Sequence, residues 1–410
     1  MIQRPTLTLA ALALVLGACG DRAPASTSAV EPELSAARSD LRAHLELRID
    51  EAHNPEWPLT RVGDVVISDD GRLFVSQPEV PAVYVLGEAG RVMGTIGRRG
   101  EGPGGFIQLA AIGLLGDTLF ASDPSLGRVS FFTLDGDFIR SRQWVADMEP
   151  QRIEDGFQLL LLGAPPVALF TNGSALVRPN MIFRPEPPGE GASWTTLRIP
   201  LLQIDAESEV VDTLGWEETT GATVGLRRRG TVFQVTAPLR RSPHTAILPN
   251  GAGVAVARDA GPDRSEVSVS RIGAEGDTLF ARDYAYRPIP VTDAVLDRAI
   301  GDLTVFPQDI DGAPGGPDFR EPLREAGLVP TMLPPVTGIV GGQDGSIWLR
   351  REEAEVNTID WTVLEETGGV RGAVSLPRGH RVVAVRGTVM VAVEEDAFGV
   401  PSLLRYRLSG

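Results

Sequence analysis

The sequence predicts an all-β fold: a six-bladed β-propeller whose last blade is completed by an N-terminal strand and whose ring carries a small helical insertion. Three observations predict it. A turn followed by an apolar strand recurs six times along the chain. The recurrences are spaced as one four-stranded blade, with or without an insertion. The chain also ends one strand short of a sixth blade, while an unassigned strand stands before the first.

That unassigned strand is His44-Leu45-Glu46-Leu47-Arg48-Ile49-Asp50, which alternates apolar and polar residues as a half-buried strand does. The six units then run from Asp70 to Val75, Gly116 to Ala121, Gly173 to Val177, Asn250 to Val256, Asp344 to Leu349 and Arg386 to Val391. Their strands start at Leu73, Leu119, Leu176, Val254, Ile347 and Val389, at intervals of 46, 57, 78, 93 and 42 residues. The shortest two match one blade and the others are a blade plus an insertion. An apolar run opens each blade, from Asp64, Ala110, Val167, Thr245, Val336 and Val382. A third strand follows each unit, ending at Leu86, Leu134, Ile204, Ile272, Leu364 and Leu408. Five of these lead into a hairpin and a fourth strand, as at Asp135-Gly136, where Asp-Gly favours a tight turn. The sixth runs into Gly410, so the N-terminal strand closes the ring and leaves only short edges exposed. Replacing Leu45, Leu47 or Ile49 by Asp is then expected to destabilise the whole domain.

Two insertions depart from the repeat. In residues 287–333, Thr292 caps a helix with Val295, Leu296, Ala299, Ile300 and Leu303 on one face, and a second helix around Pro322 to Ala326 stops at Gly327. Its apolar stripe needs cover: a mouth of the ring, the edge of blade four, or a partner. Residues 179–196 are Pro/Gly-rich and polar and read as a surface loop.

With 410 residues, 42% of them hydrophobic, the chain can bury a substantial core. All 38 basic residues are Arg. Without lysine there is no Schiff-base chemistry, no P-loop lysine and no Ser-Lys dyad. The formal charge of −16 repels phosphate backbones, so nucleic acid is excluded as a partner. G-x-S-x-G, H-E-x-x-H and EF-hand patterns are missing.

Residues 1–18 have Arg4 as the charged start, an apolar run from Leu7 to Leu16, and the small residues Gly17 and Ala18. This is a secretory signal. The only cysteine, Cys19, follows directly, and Leu16-Gly17-Ala18-Cys19 resembles the lipobox of bacterial lipoproteins. The resemblance implies cleavage before Cys19, a diacylglyceryl group on its thiol and often an acylated amine, a multi-chain anchor that membrane lipid holds stably. The only thiol is thereby consumed, leaving no disulfide and no cysteine nucleophile. Residues 19–40 continue as the lipidated cysteine and a flexible tether, and 41–410 as the propeller. By the same resemblance, Gly20 after the cysteine implies sorting to the outer membrane, with the propeller in the periplasm or at the cell surface.

The stretch Gly97-Arg98-Arg99-Gly100-Glu101-Gly102-Pro103-Gly104-Gly105-Phe106, with Asp117 to Ala121, Asp123 and Arg128-Val129, resembles the inter-blade signature of six-bladed propellers of the NHL type. Leu333-Pro334-Pro335 leading into Asp344 to Leu349 is similar to six-bladed propeller lipoproteins of Gram-negative bacteria. The same glycine stretch satisfies G-x-G-x-x-G, but Pro103 lies inside it and a strand follows it where a dinucleotide site needs a helix. It reads as an inter-blade turn.

His244 and His380 precede the first strands of blades four and six, and Asp64 opens blade one. NHL-type peptidyl-hydroxyglycine lyases and lactonases of related propellers hold a divalent metal near such positions, which needs three or four ligands. A third histidine is not available at a comparable position, since His44 and His53 lie on the closing strand and its loop. Arg240 and Arg241 join His244 in a small basic cluster that can orient a carboxylate or phosphate, and Arg227-Arg228-Arg229 is a second. Two functions follow. One is a non-enzymatic binding scaffold without cofactor, anchored in membrane lipid, with a protein or a small anionic ligand as partner. The other is a metal-dependent lyase or lactonase using Asp64, His244 and His380.

Overall fold

Six chain reversals set the geometry, each at a glycine held at positive φ: Gly71 (81°), Gly116 (57°), Gly173 (87°), Gly251 (68°), Gly345 (81°) and Gly387 (57°). Only glycine takes this conformation without steric penalty, so these are the turn residues of the six repeats. The computed structural model describes residues 34, 41–57, 59–144, 151–153, 157–160, 166–182, 191–207, 209–228, 231–239, 243–259, 265–301, 305–306, 319–352 and 357–410. The leader 1–18, Cys19, Arg229, Arg240 and Arg241 lie outside them.

The fold is a six-bladed β-propeller. Blade one comprises Val65–Ile67, Leu73–Gln77, Val80–Leu86 and Val92–Ile96, an antiparallel meander running outward from the axis. Blades two, four and five repeat it, with first strands Ala111–Leu115, His244–Leu248 and Gly338–Gly341. In blade six Arg381–Arg386, Val389–Glu395 and Pro401–Ser409 are joined by Arg42–Ile49, so the N-terminal strand closes the ring. Second strands are mostly buried, and wholly so at Leu73–Gln77, while an outer strand such as Phe138–Gln143 is almost wholly exposed. The propeller's core accordingly lies in six apolar clusters, one at each seam between neighbouring blades.

Polar side chains also cross the seams. Gln203 Nε2 donates to Ala274 O (2.9 Å), Arg271 Nη1 to Glu366 O (3.0 Å) and Arg405 Nη1 to Glu88 O (2.9 Å). In each case a nearly buried donor on a third strand meets the outer hairpin of the next blade. Gln343, in the first turn of blade five, makes a wider tie. Its amide accepts from Ile67 N (2.8 Å) and donates to Ile67 O (2.9 Å) in blade one, and its own N–H donates to Val385 O (2.8 Å) in blade six.

Three expectations need correction. The closing strand carries a bulge between Leu45 and Leu47, which turns Leu45 outward (49% exposed) while Ile49 is buried at the seam of blades six and one. Leu34, read as tether, is fully buried in the cluster between blades four and five, and its carbonyl accepts from Arg351 Nη1 at 2.7 Å. Within residues 179–196, read as loop, Asn180–Ile182 is a strand paired with Phe157–Leu160, residues 183–190 lie outside the described residues, and Gly191 begins another strand. Gly191–Ile204 and Val210–Arg228 form a long hairpin, and Ala192-Ser193-Trp194-Thr195-Thr196 is β-prone despite its Pro-rich approach. Thr231–Thr236 and Val305–Phe306 extend the sheet to six strands.

The helical insertion holds α1 (Asp293–Gly301) and α2 (Arg320–Glu325). Thr292 Oγ1 accepts from Val295 N at 3.3 Å, as its capping role requires. Leu296 and Ile300 pack on Phe319, Leu323 and Ala237, so the stripe is covered by α2 and by blade three's extension. Arg320 and Arg324 pair with Asp297 and Asp293 across the two helices. Among the described residues no helix is long and apolar enough to cross a membrane.

Candidate functional site

The first strands of the six blades meet around one cavity of about 430 Å³. Its wall takes Val66, Ile112, Ala168, Ile247, Val340 and Val383, one residue from each blade. Such a size lies within the usual range of small-molecule pockets. Short first strands of Val, Ile, Ala and Gly fit around a narrow axis, and the surface they open to the cavity is as much polar as apolar.

Asp64 and Arg178 are the ionisable side chains on this wall. Asp64 is presented by a braced backbone. Its N–H donates to Ser76 Oγ (2.8 Å), its carbonyl accepts from Ser76 N (3.0 Å), and Gly63 N donates to Ser76 O (2.9 Å). Its Oδ2 accepts from Ile112 N of blade two at 3.1 Å. The carboxyl is open to solvent within the cavity yet enclosed by the ring of strands; this enclosure pushes its pKa up, and the Ile112 N–H offsets the rise in part. Arg178 is matched by Glu217, Nη2 to Oε1, at 2.7 Å.

The two candidate histidines have other neighbourhoods and do not line the cavity. His244 Nε2 lies 3.1 Å from Val336 O at the seam with blade five, and burial lowers its pKa. His380 Nδ1 lies 2.7 Å from Tyr406 Oη and its Nε2 lies 3.3 Å from Glu394 Oε1. Glu394 in turn accepts from Arg48 of the closing strand, and that bond holds its carboxyl below the usual range. Tyr406 is 5% exposed. The relay Tyr406–His380–Glu394–Arg48 therefore ties the closing strand to blade six. Among the described residues no group of three or more His, Cys, Asp and Glu side chains is placed to hold a metal ion.

The glycine stretch is structural. Arg98–Arg99 pairs in parallel with Gly105–Phe106, and Arg128 Nη2 donates to Gly102 O and Gly105 O, both at 2.8 Å. A Cβ on Gly97 would stand 2.2 Å from the Phe106 ring, which is fully buried at the seam of blades one and two. Asp123 is likewise a loop organiser, accepting from Ile107 N (2.7 Å) and Leu126 N (3.0 Å).

Arg178 is the site residue that sequence reasoning missed. Its signal is its place directly after the buried second strand Ala175–Val177, at the end of blade three that the cavity reaches.

No family model matches the sequence, and no curated protein matches it. Among solved structures the chain is similar to a Bacteroides fragilis protein described as exported, at 12% identity over 93% of this chain and 98% of that one, TM-score 0.42. It is also similar to a duf4221 family member from Bacteroides vulgatus, at 9% identity over 91% and 99% of the two chains, TM-score 0.46. A third is a catalytically inactive virginiamycin B lyase from Staphylococcus aureus, at 10% identity over 90% and 98%, TM-score 0.37. These are likenesses of backbone path and carry no chemistry to this chain.

Proposed function

We propose that the protein is a lipoprotein anchored through Cys19 outside the cytoplasmic membrane, most consistent with the outer membrane, and that its propeller is a non-enzymatic binding module whose ligand sits in the axial cavity. One observation carries the binding reading: six blades converge on a cavity whose open surface is part apolar and part polar, with one carboxylate that has no ion-pair partner among the described residues. An apolar pocket with few, well-placed polar groups is the common form of a small-ligand site. The anchor rests on the leader and on the position of Cys19.

The binding reading is tested by ligand-observed NMR on the purified full chain with a set of small fragments, repeated on Ala110→Trp. Ala110 is an exposed wall residue, so the indole obstructs the cavity without displacing core. Fragments that bind the wild type and not the variant support the reading; a wild type that binds none overturns it. Near-stoichiometric zinc or calcium in the purified protein, with melting lowered by a chelator, would overturn the non-enzymatic part. Cys19→Ala should release the protein from the membrane fraction, and its retention there would overturn the anchor.

A further inference from the structure

We propose that the axial cavity takes a ligand carrying a cationic nitrogen, an alkylammonium or guanidinium group, on an apolar body, with Asp64 as its counter-ion. This rests on the cavity being the binding site.

The inference starts from what Asp64 lacks. Its Oδ2 has the Ile112 N–H at 3.1 Å; its Oδ1 has no protein donor, and no arginine pairs with it, among the described residues. The carboxyl is open to the water in the cavity, so its charge is solvated but not neutralised by a protein cation, and a ligand cation can take that place. The other ionisable side chain on the wall cannot serve, since Arg178 is committed to Glu217 at 2.7 Å. Nor can the carboxylate easily swing away. Ser76 braces its backbone and the Ile112 N–H holds Oδ2, so the group stays at the cavity wall while the charge goes unmatched.

An incoming ammonium supplies what is missing. It donates to the free Oδ1, favours the ionised carboxylate, and lets the rest of the ligand lie against the partly open Ile247, Val340 and Val383. An anionic ligand would face Asp64 directly and is repelled. The chain's overall charge of −16 works in the same direction, concentrating cations near its surface. The cavity thus selects by sign before shape, and against the carboxylates and phosphates that the Arg240–Arg241 cluster suggests from sequence.

The experiment is NMR titration of the full chain, purified in detergent, with hexylammonium, hexanol and hexanoate, which share one apolar tail. Wild type, Asp64→Asn and Ala110→Trp are compared. The expected result is saturable binding of hexylammonium at least tenfold tighter than hexanol, no binding of hexanoate, a tenfold or greater loss for hexylammonium in Asp64→Asn with hexanol unchanged, and loss of both in Ala110→Trp. Equal binding of hexylammonium and hexanol, or binding of hexanoate, with Ala110→Trp abolishing it, overturns the cationic ligand class and leaves the cavity as the binding site. If no probe binds the wild type, or if Ala110→Trp binds as well as the wild type, the cavity reading falls together with the proposal. Melting curves of both variants at the titration pH establish that each is folded; an Asp64→Asn that is folded yet binds hexylammonium like wild type overturns the counter-ion role.

Discussion

Replacing Ile49 by Ala should weaken the whole propeller, while replacing Leu45 by Ala should leave it almost unchanged, although the two residues are four apart on the same strand. Ile49 is 1% exposed and belongs to the seam cluster shared by blades six and one, with Trp57, Leu86, Val391 and Leu403. Its side chain also fills the space at Gly90, where a Cβ would lie 2.8 Å from Ile49 Cγ1. Truncation to Ala removes three buried carbons, each contributing about 0.8 kcal/mol, and leaves a cavity walled by a rigid seam, so a loss of about 3 kcal/mol is expected. Leu45 is 49% exposed beyond the bulge, and its truncation should cost less than about 0.5 kcal/mol. Urea titration followed by tryptophan fluorescence measures both. Trp57 reports the seam of blades six and one, Trp348 and Trp361 the seam of blades five and six, and Trp144 that of blades two and three. If the strand closes the ring cooperatively, all regions should lose structure together and at lower urea in Ile49→Ala. Equal effects at the two positions, or an Ile49→Ala midpoint matching wild type, would refute the reasoning that ring closure depends on this seam.

Asp64→Asn should stabilise the protein at neutral pH. The folded-state pKa of Asp64 is raised, so the folded chain holds the proton more tightly than the unfolded one and stability falls as pH climbs from the ordinary carboxylate range through the folded value. The gain of the variant should therefore vanish below the ordinary carboxylate range, and denaturation midpoints at pH 3.5 to 8 (roughly the span of carboxylate titration and beyond) check it; Arg178 is the other charged group facing the cavity. Gln343→Ala removes both amide bonds to Ile67 and should lower stability by about 1–3 kcal/mol in urea titration, with Gln343→Glu, which keeps only the acceptor, intermediate. Leu34→Ala should cost about 2–4 kcal/mol in the chain from residue 20 onward and nothing in a chain begun at residue 41, because only the former contains the residue that fills the socket. Arg48→Gln should raise the pH at which acid destabilises the protein by a small margin, since Glu394 loses the bond that keeps its pKa down; the measurement is the midpoint of acid unfolding.

The propeller was legible because its information is local. Each reversal needs a glycine, each second strand needs an unbroken apolar run, and both recur within a few residues, as in Asp344-Gly345-Ser346-Ile347-Trp348-Leu349. The closing strand was legible from a count of strands, but its bulge was not, since a register shift depends on the facing strand Pro401–Ser409. The seam donors look like misplaced polar residues in Leu202-Gln203-Ile204 or Ser270-Arg271-Ile272, and acquire meaning only from carbonyls 71 and 95 residues away. The site shows the same limit. Asp64, His244 and His380 occupy similar places in the repeat, yet Asp64 turns toward the axis while the histidines find partners at Val336, and at Tyr406 and Glu394. Strand position defines a blade; side-chain direction at its first residue is decided by the neighbouring blade. Leu34 fails for the opposite reason: one leucine among Pro, Ala, Ser and Glu has no periodicity, and its socket is built by residues from Leu248 onward.

Leu34 also determines how the molecule bears load. The closing strand's backbone pairs with one neighbour, the antiparallel ladder to Pro401–Ser409, and tension applied at Arg42 begins at the Ser409 end of that ladder. Traction arriving from the N-terminus meets Leu34 first, where a buried side chain and the Arg351 bond pass it into the seam of blades four and five. A pull from the N-terminal side of Leu34 is thereby shared with a seam of the ring other than the closure, in the manner of a strain relief on a cable.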